Sequence, residues 1–214
     1  MKIEIKSWYD GKILFEGEFG SLKLAVEAAV GQEIRLSGAS LAGANLAGAN
    51  LAGASLAGAN LAGANLAEAS LARANLDGAS LAGANLAGAN LAEASLARAN
   101  LDGARLAGAR LARANLDGAS LDEKTILPTG ETWKEYLTVV VPALLTAGGK
   151  SLQEIATPKT WDCHTWENCP MAEAFGGHSL QDVPILLRPR AEQFIKFFDA
   201  KLIPLETINP GGKP

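Results

Sequence analysis

Leu41-Ala42-Gly43-Ala44-Asn45 is followed by Leu46-Ala47-Gly48-Ala49-Asn50 and then by Leu51-Ala52-Gly53-Ala54-Ser55, and the five-residue rhythm holds as far as Leu121. Leucine recurs at every fifth position from Leu41 to Leu121, seventeen times without a gap. Two places before each of them, from Ala39 to Ala119, stands an alanine, and between the two sits a small polar residue, mostly Asn or Ser.

That period excludes the common regular structures. In an α-helix a step of five residues advances the side chain by about 140° net, so the leucines would form no stripe. Glycine also stands two places after the leucine position at twelve sites between Gly38 and Gly118. At roughly 1 kcal/mol each relative to alanine, these add on the order of 12 kcal/mol against a helix. In a flat strand an odd period sends successive leucines to opposite faces. Collagen requires glycine every third residue, whereas here it comes every fifth. What remains is a solenoid that turns a corner once per unit, so that each leucine points to a common axis.

The unit Ala-Asn-Leu-Ala-Gly resembles the pentapeptide repeat family over about 90 residues, from 36 to 126. The resemblance implies a mainly β fold: a right-handed quadrilateral β-helix with four units per coil. The leucine and the alanine two places before it would point inward, so Leu41, Leu61, Leu81, Leu101 and Leu121 form one core column, with Ala39, Ala59, Ala79, Ala99 and Ala119 another. At a strand spacing of ~4.8 Å per coil, slightly more than four coils would stand about 20 Å tall.

With residues 20 apart stacked, the surface can be read by column. Arg73, Glu93 and Arg113 share one, alternating in sign, and Asn45, Asn65 and Asn85 share another that ends at Arg105. Asp77 and Asp117 share a third around the neutral Ala97. Arg105, Arg110 and Arg113 are the candidates for a basic interaction patch. Gly53 to Ala79 recurs residue for residue as Gly78 to Ala104, an offset of 25 that does not restore the same face. Such a shift favours a platform over a patterned binding surface.

Some members of the family act on type II topoisomerases by mimicking duplex DNA. A 20 Å duplex carries on the order of twelve negative charges. Between Leu36 and Lys124, seven carboxylates (Glu68, Asp77, Glu93, Asp102, Asp117, Asp122, Glu123) face six basic side chains (Arg73, Arg98, Arg105, Arg110, Arg113, Lys124), a balance of −1. That charge disfavours mimicry, and the formal net charge of −4 for the chain suits no nucleic-acid partner.

On the N-terminal side, residues 1–35 read as a cap. Ile3 and Ile5 alternate with Lys2, Glu4 and Lys6, Asp10-Gly11 is a hairpin turn dipeptide, and Ile13 to Phe19 is the partner strand. Ser21 is placed to N-cap a helix with Leu22, Ala25, Val26 and Ala29 on one face and Gly31 just past its end. Met1 to Asp10 carries four charges and no apolar core, unlike a secretory signal. The longest apolar run, Leu137 to Ala147, is too short to span a bilayer. A cytoplasmic protein without membrane attachment is the expectation.

On the C-terminal side, residues 127–205 read as a helical module that closes the coil, followed by a flexible tail at 206–214. Glu131 to Ala147 has a broad apolar face, kinked at Pro142 and ended by Gly148-Gly149. Ser151 and Glu154 form a capping-box pattern, Asn168 is placed to cap a turn over Met171 to Phe175, and Pro189 opens a last helix to about Ala200. Both cysteines and both histidines fall between Cys163 and His178. A metal reading makes Cys163, His164, Cys169 and His178 zinc ligands. The Cys-x5-Cys spacing is loose for zinc and lacks the Cys-x-x-Cys of thiol oxidoreductases, so a small hydrophobic core without cofactor is the favoured alternative. The resulting expectation is a non-enzymatic interaction scaffold whose partner is another protein, meeting either the smooth alanine, asparagine and serine faces of the coil or the C-terminal module, with a homodimer through that module as the minority arrangement.

Overall fold

The computed structural model describes residues 1–147, 174–175, 181, 183–200 and 202–203, which fall into two compact units, one of Met1–Trp133 and one from Lys134 onward.

The first unit is built by the repeat. Parallel bridges join each small polar residue to the one 20 positions later, as in Asn45 to Asn65 and Asn65 to Asn85, so one coil takes four units. Within a unit each residue has one task. Leu46 is fully buried and donates its N–H to Asn65 O at 2.8 Å, one coil on. Gly48, at φ 62°, donates to Ala67 O at 2.8 Å. Ala49, also buried, closes a turn onto Leu46 O at 3.0 Å. A positive φ at the third residue of such a turn is the type II signature, and it is why glycine recurs there. The polar residue bonds backward, as Asn65 N does to Ala44 O at 2.9 Å. The remaining N–H, on the corner alanine, is met by the asparagine side chain before it, as Ala67 N meets Asn65 Oδ1 at 3.2 Å. A five-residue unit that includes asparagine thus places all five of its N–H groups, which a stack with little room for water requires. The same accounting begins at Leu36, which is fully buried and donates to Ser55 O, so the coil starts one unit before Leu41.

The N-terminal residues cover the first coil. Strands β1 (Lys2–Lys6) and β2 (Ile13–Glu18) pair antiparallel around the Asp10-Gly11 turn, with a bulge between Ile5 and Lys6. Lys6 O accepts from Ser40 N at 2.7 Å, and Trp8 N donates to Gly38 O at 2.9 Å. Helix α1 (Leu22–Gly31) is N-capped by Ser21, whose Oγ accepts from Leu24 N, and buries Ala25, Val26 and Ala29. Gly31 is the last residue of α1 and does not stand past its end. The left-handed residue is Glu33 at φ 58°, with Ile34 N bonded to Ala29 O and Glu33 N to Val30 O. That pair of bonds is a Schellman motif with glutamate where glycine is usual.

At the other end the register slips by one. Leu106 N bonds Ile126 O and Gly108 N bonds Pro128 O, where the coil rule would give residues 125 and 127. One extra residue between Leu121 and Ile126 moves Thr125 into an inward alanine slot and Leu127 into a leucine slot, both fully buried. The chain then turns at Gly130, and Thr132 pairs antiparallel with Ile126.

Beyond lie α2 (Trp133–Glu135), a π-helical turn over Tyr136–Val140, α3 (Val141–Thr146) and α4 (Arg188–Asp199). The π turn sits where a kink at Pro142 was expected. Widening the ladder there, with Val141 N reaching Tyr136 O, relieves the clash that a proline ring imposes on the preceding turn. In the second unit Tyr136 meets Phe197 edge to face at 5.5 Å, and Phe194 stacks on Phe198 at 5.7 Å. Among the described residues no helix is long and apolar enough to cross a membrane.

Candidate functional site

Of the core columns, Leu41, Leu61, Leu81 and Leu101 are buried, as are Ala39, Ala59, Ala79, Ala99 and Ala119, whereas Leu121 is half-buried at the slipped last coil. The outward residues carry the charges and amides of the coil. Arg73 Nε donates to Glu93 Oε2 at 3.1 Å, an exposed pair that adds little to stability. The asparagine column forms a ladder, Asn65 Nδ2 to Asn45 Oδ1 at 3.3 Å and Asn85 Nδ2 to Asn65 Oδ1 at 3.4 Å. Ser95 Oγ donates to Asp77 Oδ1.

Arg105, Arg110 and Arg113 are all exposed, but they are not gathered into one face. Arg105 continues the column of Asn85, Arg110 that of Asn90 on the next side, and Arg113 occupies the left-handed turn position of the side after that, at φ 56°. The zinc candidates Cys163, His164, Cys169 and His178 lie outside the described residues, among which there is no metal-ligating cluster.

Two features carry chemistry that sequence patterns did not single out. Asp122 Oδ1 accepts from Gly103 N at 2.7 Å, Lys124 N at 3.0 Å and Thr125 Oγ1 at 3.0 Å, so its carboxylate replaces the carbonyl that the slipped register removes. Desolvation raises its pKa, but the bonds from Gly103, Thr125 and Lys124 together outweigh that and hold it below the ordinary aspartate value. The second is a cleft of about 470 Å³ with Val30, Glu33 and Ile34 on one wall and Ala52, Gly53 and Ser55 on the other. Its signal in the sequence was a glutamate two residues after Gly31, a position that periodicity does not mark.

The ladder of type II turns with 20-residue stacking agrees with an independent match, since the pentapeptide repeat family covers residues 34–71, 69–108 and 89–123 in eight copies. Residues 34–123 are a pentapeptide repeat domain. Among solved structures, a pentapeptide repeat protein from the thylakoid lumen of Arabidopsis thaliana is 35% identical over 40% of this chain and 63% of its own, with a TM-score of 0.35. A second, Rfr23 from the cyanobacterium Cyanothece, is 43% identical over 39% and 60%, with a TM-score of 0.30. A third, HetL from Nostoc, described as involved in heterocyst differentiation regulation, is 36% identical over 46% and 55%, with a TM-score of 0.31. The chain thus spans less than two thirds of each of these pentapeptide repeat proteins. No curated protein matches it.

Proposed function

We propose that the protein is a non-enzymatic, cytoplasmic scaffold that binds another protein along the faces of its pentapeptide coil, the right-handed β-helix of that family. The observation that carries this reading is the side made by Leu41–Asn45, Leu61–Asn65 and Leu81–Asn85. Over three successive coils it presents only alanine, glycine and laddered asparagine, with no charge and no projecting loop. Such a surface is flat and rigid and offers amide hydrogen bonds at strand spacing, which suits an extended protein partner better than a small substrate.

The test uses a change the coil already tolerates. Asp77, Asp102 and Asp117 occupy the corner position that Ala62 and Ala82 hold on the smooth side. The variant Ala62→Asp, whose neighbours one coil away are Ala42 and Ala82, is therefore expected to fold normally by circular dichroism while losing a cross-linked or co-purified partner. Retention of that partner at wild-type level would sink the assignment to this face. Zinc at one equivalent per chain, lost on Cys163→Ser, would replace it with a metal-dependent reading. Inhibition of supercoiling by the purified protein would replace it with topoisomerase modulation, against which the coil's charge balance of −1 stands.

A further inference from the structure

The first coil shows how its exposed backbone is satisfied, and where it is not. Inside the stack, the carbonyl of each corner residue accepts the N–H of the left-handed residue one coil earlier, as Ala62 O does from Gly43 N at 2.8 Å. No coil precedes the first one, so its corner carbonyls need substitutes. On the side of residues 46–50, α1 supplies them: Lys23 Nζ donates to Ala47 O at 2.9 Å, and Glu27 Oε1 accepts from Asn50 N at 2.8 Å. The equivalent carbonyls of the other sides, Ser37 O, Ala42 O and Ala52 O, meet no donor among the described residues, and of these Ala52 O belongs to a residue that lines a cleft. The chain that would stack above it is the end of α1 and the residues that follow, and between them lies the 470 Å³ cleft.

The lining of that cleft favours positive charge. Glu33 is the one charged residue in its lining, and the facing side, Leu51–Ser55, carries none. The C-terminal end of α1 lines the cleft, its Ala28, Ala29 and Val30 carbonyls are taken by Gln32, Ile34 and Glu33 N–H groups, and no basic residue in its last turn offsets the negative end of its dipole. Arg35, nearby in sequence, is exposed and does not line the cleft. Glu33 owes its left-handed backbone, φ 58°, to the Schellman turn that ends α1.

We propose that this cleft is a binding site for a lysine or arginine side chain presented by the protein partner, its cationic group held between the Glu33 carboxylate and Ala52 O. The Lys23–Ala47 bond on the adjacent side is the same interaction made internally. Val30 and Ile34 supply an apolar wall for the aliphatic stem that such side chains lay along a surface. The proposal rests on the scaffold reading for the nature of its partner, but its test is separate.

In a titration of the full chain followed by amide chemical shifts, Nα-acetyl-lysine methylamide should bind with millimolar affinity, on the order expected for a fragment. Shifts should localise to residues 30–34 and 52–55. The norleucine analogue, which keeps the stem and lacks the ammonium, should leave those signals in place. Glu33→Gln should weaken binding at least tenfold. Glu33→Gly should lose binding while raising the melting temperature, a combination that a merely structural glutamate would not give. Equal shifts from the norleucine analogue, or unchanged affinity in Glu33→Gln, overturn the site. Tighter binding of spermidine than of the lysine compound overturns the protein-borne source in favour of a free polyamine. Any of these failures leaves the Ala62→Asp test of the coil face to stand or fall on its own.

Discussion

At the scale of single residues, the third position of the unit sets the backbone conformation for the rest. From Gly38 to Gly118 every such residue has positive φ, including Glu68, Arg73, Glu93, Arg98 and Arg113, which hold values between 56° and 60°. Those five are strained by about 1 kcal/mol each relative to glycine, and the loss is partly offset by the unfolded-chain entropy that glycine would add. Glu68→Gly should therefore raise stability by up to about 1 kcal/mol in urea denaturation, whereas Gly83→Ala, where the added methyl meets nothing within 4 Å, should cost about as much. Equal and opposite effects would show that the cost is conformational; a large loss in both would mean that something else holds these turns. Asp122 makes a second prediction. Its folded pKa lies below the ordinary value, so its stabilisation is complete above about pH 4 and is lost as the pH falls through the folded pKa. Asp122→Asn should cost about 1–2 kcal/mol at pH 7 and less at pH 2, where the wild-type carboxylate is itself protonated. A penalty independent of pH would remove the charge from this account.

At the scale of elements, position along the stack decides what a leucine contributes. Leu81 is fully enclosed between coils, so Leu81→Ala should cost about 2–5 kcal/mol. Leu121 repeats the same pattern in sequence but sits half-buried where the register slips, so Leu121→Ala should cost clearly less, with thermal melts of the two variants giving the order. This contrast marks how far the sequence could be read. The coil was legible because each residue of the unit answers one local demand, and the hairpin at Asp10-Gly11 and the cap at Ser21 were legible for the same reason. The slip was not, because Leu121 through Thr125 has the length of an ordinary unit, and it is the backbone bonds to Ile126 and Pro128, with those of Asp122 and Thr125, that show it does not act as one. Glu33 escaped notice because Gly31 offered the better helix end by composition, and the ladder of bonds to Ala29 and Val30 chose otherwise. The π turn before Pro142 arises from a clash with the preceding turn, which an apolar periodicity does not register. The cleft was out of reach for a different reason, since its two walls come from segments 20 residues apart that only the first coil brings together.

At the scale of the whole repeat domain, the ends are independent of the number of units between them. The N-terminal cap touches the coil at Ser40, Ala47 and Asn50, with Trp8 Nε1 reaching as far as Gly58 O. The closing turn depends on Leu101 through Trp133. Among the described residues, the hydrogen bonds of each unit between Gly58 and Leu101 run to its neighbours along the chain and to the units one coil above and below, and every side offers the same slots for leucine, alanine and small polar residues. The 25-residue duplication from Gly53 to Ala104, which turns its copy by one side, is consistent with that equivalence. Stability in such an array is close to a sum over units and their interfaces. Deleting Leu61–Asn65 should thus leave a folded protein: the later residues rotate by one side, Arg73 still stacks on Glu93, and the loss is about one unit's share of the total. Deleting four residues, Leu61–Ala64, should be far worse, because it puts Asn65 into an inward leucine slot directly after Asn60 and leaves a buried amide without a partner. Circular dichroism and urea denaturation on the two deletions give the comparison. If the five-residue deletion unfolds as readily as the four-residue one, the sides are not interchangeable, and the coil must carry a face-specific interaction between its ends.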